Sequence, residues 1–157
     1  MSRDPSLQPL LRSLHEQMRG ELNAAFDSAC DPAAGVWDRW AAVRFLETEL
    51  RPFLVAEREV VQAVGERVSA AVAEQLWAAG ELLSVLAARL CELGRLAQGG
   101  VEFLQTAEKC RLAFGYWCGN VETFIAPIER SAAPSLVLAR LQHMEQRAGC
   151  SAGGVTG

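Results

Sequence analysis

The sequence predicts an all-α protein: an antiparallel up-down-up-down four-helix bundle with a short C-terminal fifth helix. Three observations lead there. Apolar residues recur at alternating steps of three and four along four long stretches, which is the period of one face of an α-helix. No stretch alternates apolar and polar residues as a half-buried strand does. The breaks between the stretches are short, so consecutive helices are expected to lie side by side and antiparallel.

The first helix is expected over 6–26, after the Asp4-Pro5 start signal, with the stripe Leu7, Leu11, Leu14 or His15, Met18, Leu22, Ala25. Asp31-Pro32 and Gly35 mark the turn that follows. The second helix is expected over 36–64. Its stripe is Leu46, Leu50, Phe53, Glu57, Val60, Val64, and one member of this apolar face is a carboxylate. Pro52 removes a backbone donor and crowds the preceding turn, so a kink is expected there. The third helix, 66–97, carries Val72, Leu76, Ala79, Leu83, Leu86, Leu90 and Leu93, with Gln75 on the edge, and stops at Gln98-Gly99-Gly100. The fourth, 101–126, carries Phe103, Ala107, Cys110, Phe114, Trp117, Val121, Phe124 and, beyond Pro127, Ile128. The fifth, 135–147, has a thin seam of Val137, Leu141 and Met144. This organisation gives a bundle over 1–130, an extension over 131–149, and a small, Gly-rich tail, 150–157, expected to be disordered.

Composition narrows the function. A chain of 157 residues that is 50% hydrophobic can bury a real core and is not a disordered segment. A net charge of −4 argues against a nucleic-acid partner, which calls for a basic face. No apolar run approaches the ~20 residues of a membrane span, and residues 1–7 lack a signal peptide's apolar stretch, so a cytoplasmic location is expected. Fourteen of the fifteen basic residues are arginine, a bias that points to a GC-rich genome rather than a mechanism. The five cysteines form no CxxC pair and are expected to be free thiols.

In a bundle, chemistry is built from polar side chains on inward stripes. Glu57 is the clearest of these. A carboxylate between Phe53 and Val60 is costly to bury unless it is paired or functional. One reading pairs it with an arginine from a neighbouring helix; another rotates it to solvent; a third makes it a functional group. The only two histidines are His15, on the first stripe, and His143, expected on the surface.

The segment Phe45-Leu-Glu-Thr-Glu-Leu-Arg-Pro-Phe-Leu-Val-Ala-Glu-Arg-Glu-Val-Val61 resembles the second helix of hemerythrin-like (HHE cation-binding) proteins. Trp117-Cys-Gly-Asn-Val-Glu-Thr-Phe-Ile-Ala-Pro127 is similar to that family's fourth-helix segment, and Leu11-Arg-Ser-Leu-His15 to its first-helix histidine. The resemblance covers about 7–130 and implies a four-helix bundle around a non-heme di-iron centre. It places the second-helix His position at Phe53 with Glu57 as its carboxylate. It places the fourth-helix pair at Trp117 and Val121, or at Cys118 and Glu122 in the neighbouring register. On the third helix Gln75 or Ala79 holds the histidine's place. Of the implied ligands only His15 and Glu57 survive, too few donors for two first-row metals.

The departures leave three readings. The first is a metal-depleted bundle, with no cofactor, whose former centre binds a small apolar or aromatic molecule against Leu50, Phe53, Phe114, Trp117 and Val121, with Met18, Gln75 and Cys118 nearby. Glu57 and His15 would then be an acid/base pair for metal-free isomerase- or cyclase-type chemistry. The second is a non-catalytic scaffold with Glu57 in a structural ion pair and its outer seams open to a homodimer or partner. The third is residual iron binding through His15, Glu57 and Glu122 or a cysteine. Heme is a remote fourth, since no CxxCH motif is present.

Overall fold

A computed structural model describes residues 4–96 and 100–153, the last six as backbone only. The described residues are helical apart from turns and one isolated strand-like bridge between Ser6 and Glu129. The helices are α1 (Gln8–Cys30), α2 (Val36–Phe45), α3 (Arg51–Ala63), α4 (Ala70–Gly94), α5 (Gly100–Phe124) and α6 (Ser135–Gly153). None is long and apolar enough to cross a membrane.

The apolar stripes account for the core. All six members of the second stripe, from Leu46 to Val64, are buried, Glu57 among them. Leu76, Ala79, Leu83, Leu90 and Leu93 bury the matching face of α4, and Phe103, Ala107, Cys110, Phe114, Trp117 and Val121 that of α5. Burying each large apolar side chain contributes about 1.5–3 kcal/mol. α5 lies against α4 and α1, and α1 also touches α2 and α6. α6 is no outer appendage: Val137 and Leu141 join the same core, and the helix packs on α3 and α1. The N-terminal segment is clasped to the α5–α6 connection by Leu7 N–H on the Ile128 carbonyl (2.8 Å) and Arg130 N–H on that of Pro5 (2.9 Å).

Several boundaries differ from those expected, each for a local reason. α1 continues past Phe26 to Cys30, because the first breaker is Pro32, which holds Asp31 extended. Phe26 therefore takes the buried place expected for Ala25. The single kinked second helix is instead α2 and α3 joined by a π-helical turn, Leu46–Leu50, so the accommodation falls just before Pro52, which sits in the first turn of α3. α4 starts at Ala70 rather than Glu66 because the Ser69 hydroxyl accepts the Val72 N–H and caps it. Gly99, part of the stop signal expected after this helix, lies outside the described residues with 97 and 98. α6 runs past Arg147 to Gly153, so 150–153 of the expected tail are helical, there being no proline before the Gly153-Gly154 pair; 154–157 lie outside the described residues.

Gly94 is where α4 meets α2. A Cβ there would collide with Val43 Cγ2, with Phe103 Cε2 3.4 Å and the Arg39 carbonyl oxygen 3.6 Å away. Val43 is β-branched and buried, so it cannot swing aside. Gly94→Ala gains up to about 1 kcal/mol in helix propensity but overpacks the contact at a cost of about 1–3 kcal/mol. The expected net result is a loss near 1 kcal/mol. Gly20, exposed on α1 with open space around its Cα, gives the opposite sign: Gly20→Ala gains about 1 kcal/mol. Urea melts of the two variants check the pair, and equal signs would contradict the packing.

Candidate functional site

The buried carboxylate finds its partner on α1. The His15 Nε2–H donates to both Glu57 oxygens at 2.9 Å each. From α5 the Trp117 indole N–H donates to Glu57 Oε1 at 2.7 Å. Glu57 and His15 are buried to within 1% and Trp117 likewise. The carboxylate thus accepts three hydrogen bonds in a site that excludes water. The arginine partner weighed from sequence is not what the structure has; an imidazole takes its place.

The other ring nitrogen, His15 Nδ1, makes no hydrogen bond and is buried. It faces the Glu122 carboxylate at 3.3 Å, an ion-pair contact, and Arg12 approaches the other Glu122 oxygen at 3.7 Å. Burial alone pushes an imidazolium to titrate lower. The adjacent Glu57 carboxylate outweighs it, with the Cys118 thiol beside it, and the His15 pKa is pushed up to about 11. His15 is therefore a cation at neutral pH, doubly protonated between two carboxylates. Cys118 itself is raised by burial, against the lowering effect of His15, so its thiol stays protonated and unreactive. Phe53 packs edge-on to the His15 ring, with centroids 6.0 Å apart.

The structure brings only part of the sequence-read set together. His15, Glu57, Trp117, Phe53 and Cys118 converge. Phe114 and Val121 are core residues on the same α5 face. Leu50 lines a separate groove of about 420 Å³ between the π-helical turn and α4. Met18 lines a smaller pocket of about 290 Å³ near α6. Gln75 sits on the outer surface, where its side-chain amide donates to Asn120 Oδ1 (2.8 Å) and the Tyr116 hydroxyl (3.1 Å). His143 is exposed, as expected. Trp37 and Trp40 stack edge-to-face at 4.9 Å on the surface, and Cys30, Cys91, Cys110 and Cys118 are free thiols.

Beside this network lies the cleft that sequence reasoning missed. It runs between α3 and the start of α4, with a volume of about 700 Å³. Val61, Val68 and Ala73 line its wall, Trp77 stands at its edge, 63% exposed, and Leu76 and Trp117 lie beneath it, each only 1% exposed. Arg58 crosses it: the guanidinium lies 4.8 Å from the Trp77 ring centroid and bonds Glu81 at 2.7 Å and Ser84 at 3.3 Å. Gly80 permits that crossing, since a Cβ there would stand 3.0 Å from Arg58 Nε and 3.2 Å from Trp117 Cζ3. The Glu-Arg pair at 57–58 was the one sequence signal: one side chain turns into the core, the next lies along the flank.

The residues present do not fit the di-iron centre that the family resemblance implies. The indole of Trp117 and the ring of Phe53 put aromatic carbon and an N–H donor where ligands would stand. His15 Nε2, the nitrogen nearest Glu57, is spent on that carboxylate. Among the described residues no three His, Cys, Asp or Glu side chains converge as metal ligands. Comparison with family models, curated proteins and solved structures finds no match, so the hemerythrin-like resemblance rests on the helix segments themselves.

Proposed function

We propose that this chain is a metal-independent bundle of hemerythrin-like type that binds a small apolar or aromatic molecule. In this reading α1, the α2–α3 helix, α4 and α5 run up-down-up-down, and α6 is the fifth helix. The binding place is the α3–α4 cleft rather than the bundle centre. One observation carries the reading: an apolar cleft of about 700 Å³, walled by Val61, Val68, Ala73 and the exposed Trp77, lies over the buried Trp117, whose N–H holds Glu57. That volume falls within the ~300–1,000 Å³ of small-molecule sites. The buried His15–Glu57 pair is then structural. Its carboxylate is consumed by protein donors, and the indole stands between it and the cleft, so this pair does not reach a ligand there.

Naphthalenemethanol added to 15N-labelled protein tests this. It is expected to shift the indole N–H signals of Trp117 and Trp77 and leave that of Trp37 in place. A ligand of that size is expected to bind with a Kd of about 0.1–1 mM. Ala73 lines the cleft and is partly exposed, and Ala73→Trp should fill it and remove the response. An unmoved Trp117 signal at saturating probe would sink the reading.

A further inference from the structure

α4 carries two stripes. Its buried face is the one that runs from Leu76 to Leu93. A second runs up the exposed side as Ala71, Gln75, Ala78, Leu82, Val85 and Arg89, in steps of four, three, four, three, four. That is the spacing of a seam packed against another helix. A helix at the rim of a bundle ordinarily turns polar and charged residues outward; here the middle of the outward face is aliphatic. Beside it α5 exposes Leu112 and Tyr116, and the Gln75 amide bonded to the Tyr116 hydroxyl at 3.1 Å ties the two helices into one surface. Leu82, Val85, Leu112 and Tyr116 are each more than half exposed. They leave about 500 Å² in water, and with the rest of the seam the face approaches the ~800 Å² per partner of a standard interface.

The charges indicate what covers this face. Glu81 is paired with Arg58, Arg89 with Glu92 and Glu102, Arg111 with Asp27 and Glu108, and Glu122 with Arg12. Of the charged side chains of α4 and α5 that leaves Glu74 and Lys109, which have no ion-pair partner among the described residues. Both are exposed, and they are opposite in sign. The Arg89–Glu102 and Gln75–Tyr116 bonds set Lys109 level with Leu82, about 12 Å along the helix from Glu74. A two-fold axis at Ala78 brings Glu74 level with the partner's Lys109, and Lys109 level with the partner's Glu74. The same axis sets Ala71 opposite the partner's Val85, small against large, and leaves only the methyl of Ala78 where the two α4 helices come closest. An isologous contact requires a face that is its own complement, and this one is so in both charge and size.

We propose that this face joins two copies of the chain in an isologous dimer, α4 on α4 and α5 on α5, with Glu74 and Lys109 paired across the axis. Trp77 and the α3–α4 cleft lie on the other flank of α4, so dimer formation and small-molecule binding are read separately. Sedimentation equilibrium of the full chain from about 1 to 200 µM is expected to show a reversible monomer–dimer equilibrium with a Kd of about 10 µM, in keeping with a face of this size. At low salt, Glu74→Lys alone and Lys109→Glu alone each set like charges together at two places, and each should weaken the dimer about tenfold. The double variant restores both pairs and should return to within about threefold of the parent. An equimolar mixture of the two single variants should form a mixed dimer tighter than either forms alone, because every facing pair is then of opposite sign. Leu82→Arg puts a charge into the apolar middle of the seam and should leave monomer throughout the range.

All three positions are exposed, so the variants fold as the parent does. A parent chain that stays monomeric across the range overturns the proposal, as does a dimer that survives Leu82→Arg. A dimer indifferent to both single charge variants overturns it as well. So does one that they weaken without recovery in the double variant and the mixture, because Glu74 and Lys109 would then not face each other across a two-fold axis.

Discussion

Glu57→Ala is expected to lower the unfolding free energy by about 3–5 kcal/mol, the cost typical of removing one partner of a buried ion pair. Three hydrogen bonds end on that carboxylate, two from His15 and one from Trp117. Without it the imidazolium is buried with no counter-charge beside Nε2, and the indole N–H loses its acceptor. For a chain of this length the loss corresponds to about 10 °C in melting temperature. Glu57→Gln keeps the shape and one acceptor oxygen for Trp117 but removes the charge, so a smaller loss of about 2 kcal/mol is expected. The two variants also separate a structural pair from an ordinary polar contact through His15 itself. In the parent, NMR of the His15 ring should show it protonated through pH 8. In Glu57→Gln the main counter-charge is gone and Glu122 alone faces the ring, so His15 should lose its proton at a clearly lower pH than in the parent. A loss under 1 kcal/mol in Glu57→Ala, with His15 unchanged, would contradict the ion pair.

Much of this site could be read from spacing alone, and what could not has a physical cause. The second stripe placed Glu57 on a buried face because helical period is a one-dimensional pattern, and every member of that stripe is buried. His15 and Glu57 were brought together from the sequence only as the survivors of the ligand set that the family resemblance implies and as an acid/base pair in one reading, beside another that gave Glu57 an arginine. The role of Trp117 was less legible. Its place on the α5 stripe marked it as core, but nothing in a stripe tells which way an indole N–H points. The π-helical turn was announced only by Pro52. A proline says that one backbone donor is missing, and the helix can answer with a kink or with one wider turn. The cleft was least legible. Arg58, Trp77 and Gly80 lie on no stripe, and they matter because the missing Cβ of Gly80 lets a side chain of α3 cross α4. Such a contact depends on where two helices meet, which periodicity does not encode.

Stability is expected to fall as pH rises from about 6.5 toward 11, and His15 is the reason. In the unfolded chain its imidazole titrates near 6.5; in the folded protein burial opposes the charge but Glu57 prevails, and the pKa is about 11. A group whose folded pKa is raised keeps its proton in the native state while the unfolded state gives it up. Its contribution is fully present below pH 6.5 and is lost progressively until the folded pKa is passed. Across the window each pH unit can raise the unfolding constant by up to tenfold, the limit for one proton released on unfolding. The buried thiols act with the same sign but later. Burial raises Cys30, Cys91 and Cys118 above 9.0 and carries Cys110 to about 12, so their effect begins only where unfolded thiols ionise. The interval from pH 6.5 to 8.5 therefore isolates His15. Urea melts over that interval should show a steady decline in the parent. In His15→Gln, which retains a donor for Glu57 but cannot titrate, the decline should vanish from a lower starting stability. A parent whose stability is flat or rising between those pH values would mean that His15 is neutral in the fold, and the charge pairing that closes the bundle centre would have to be abandoned.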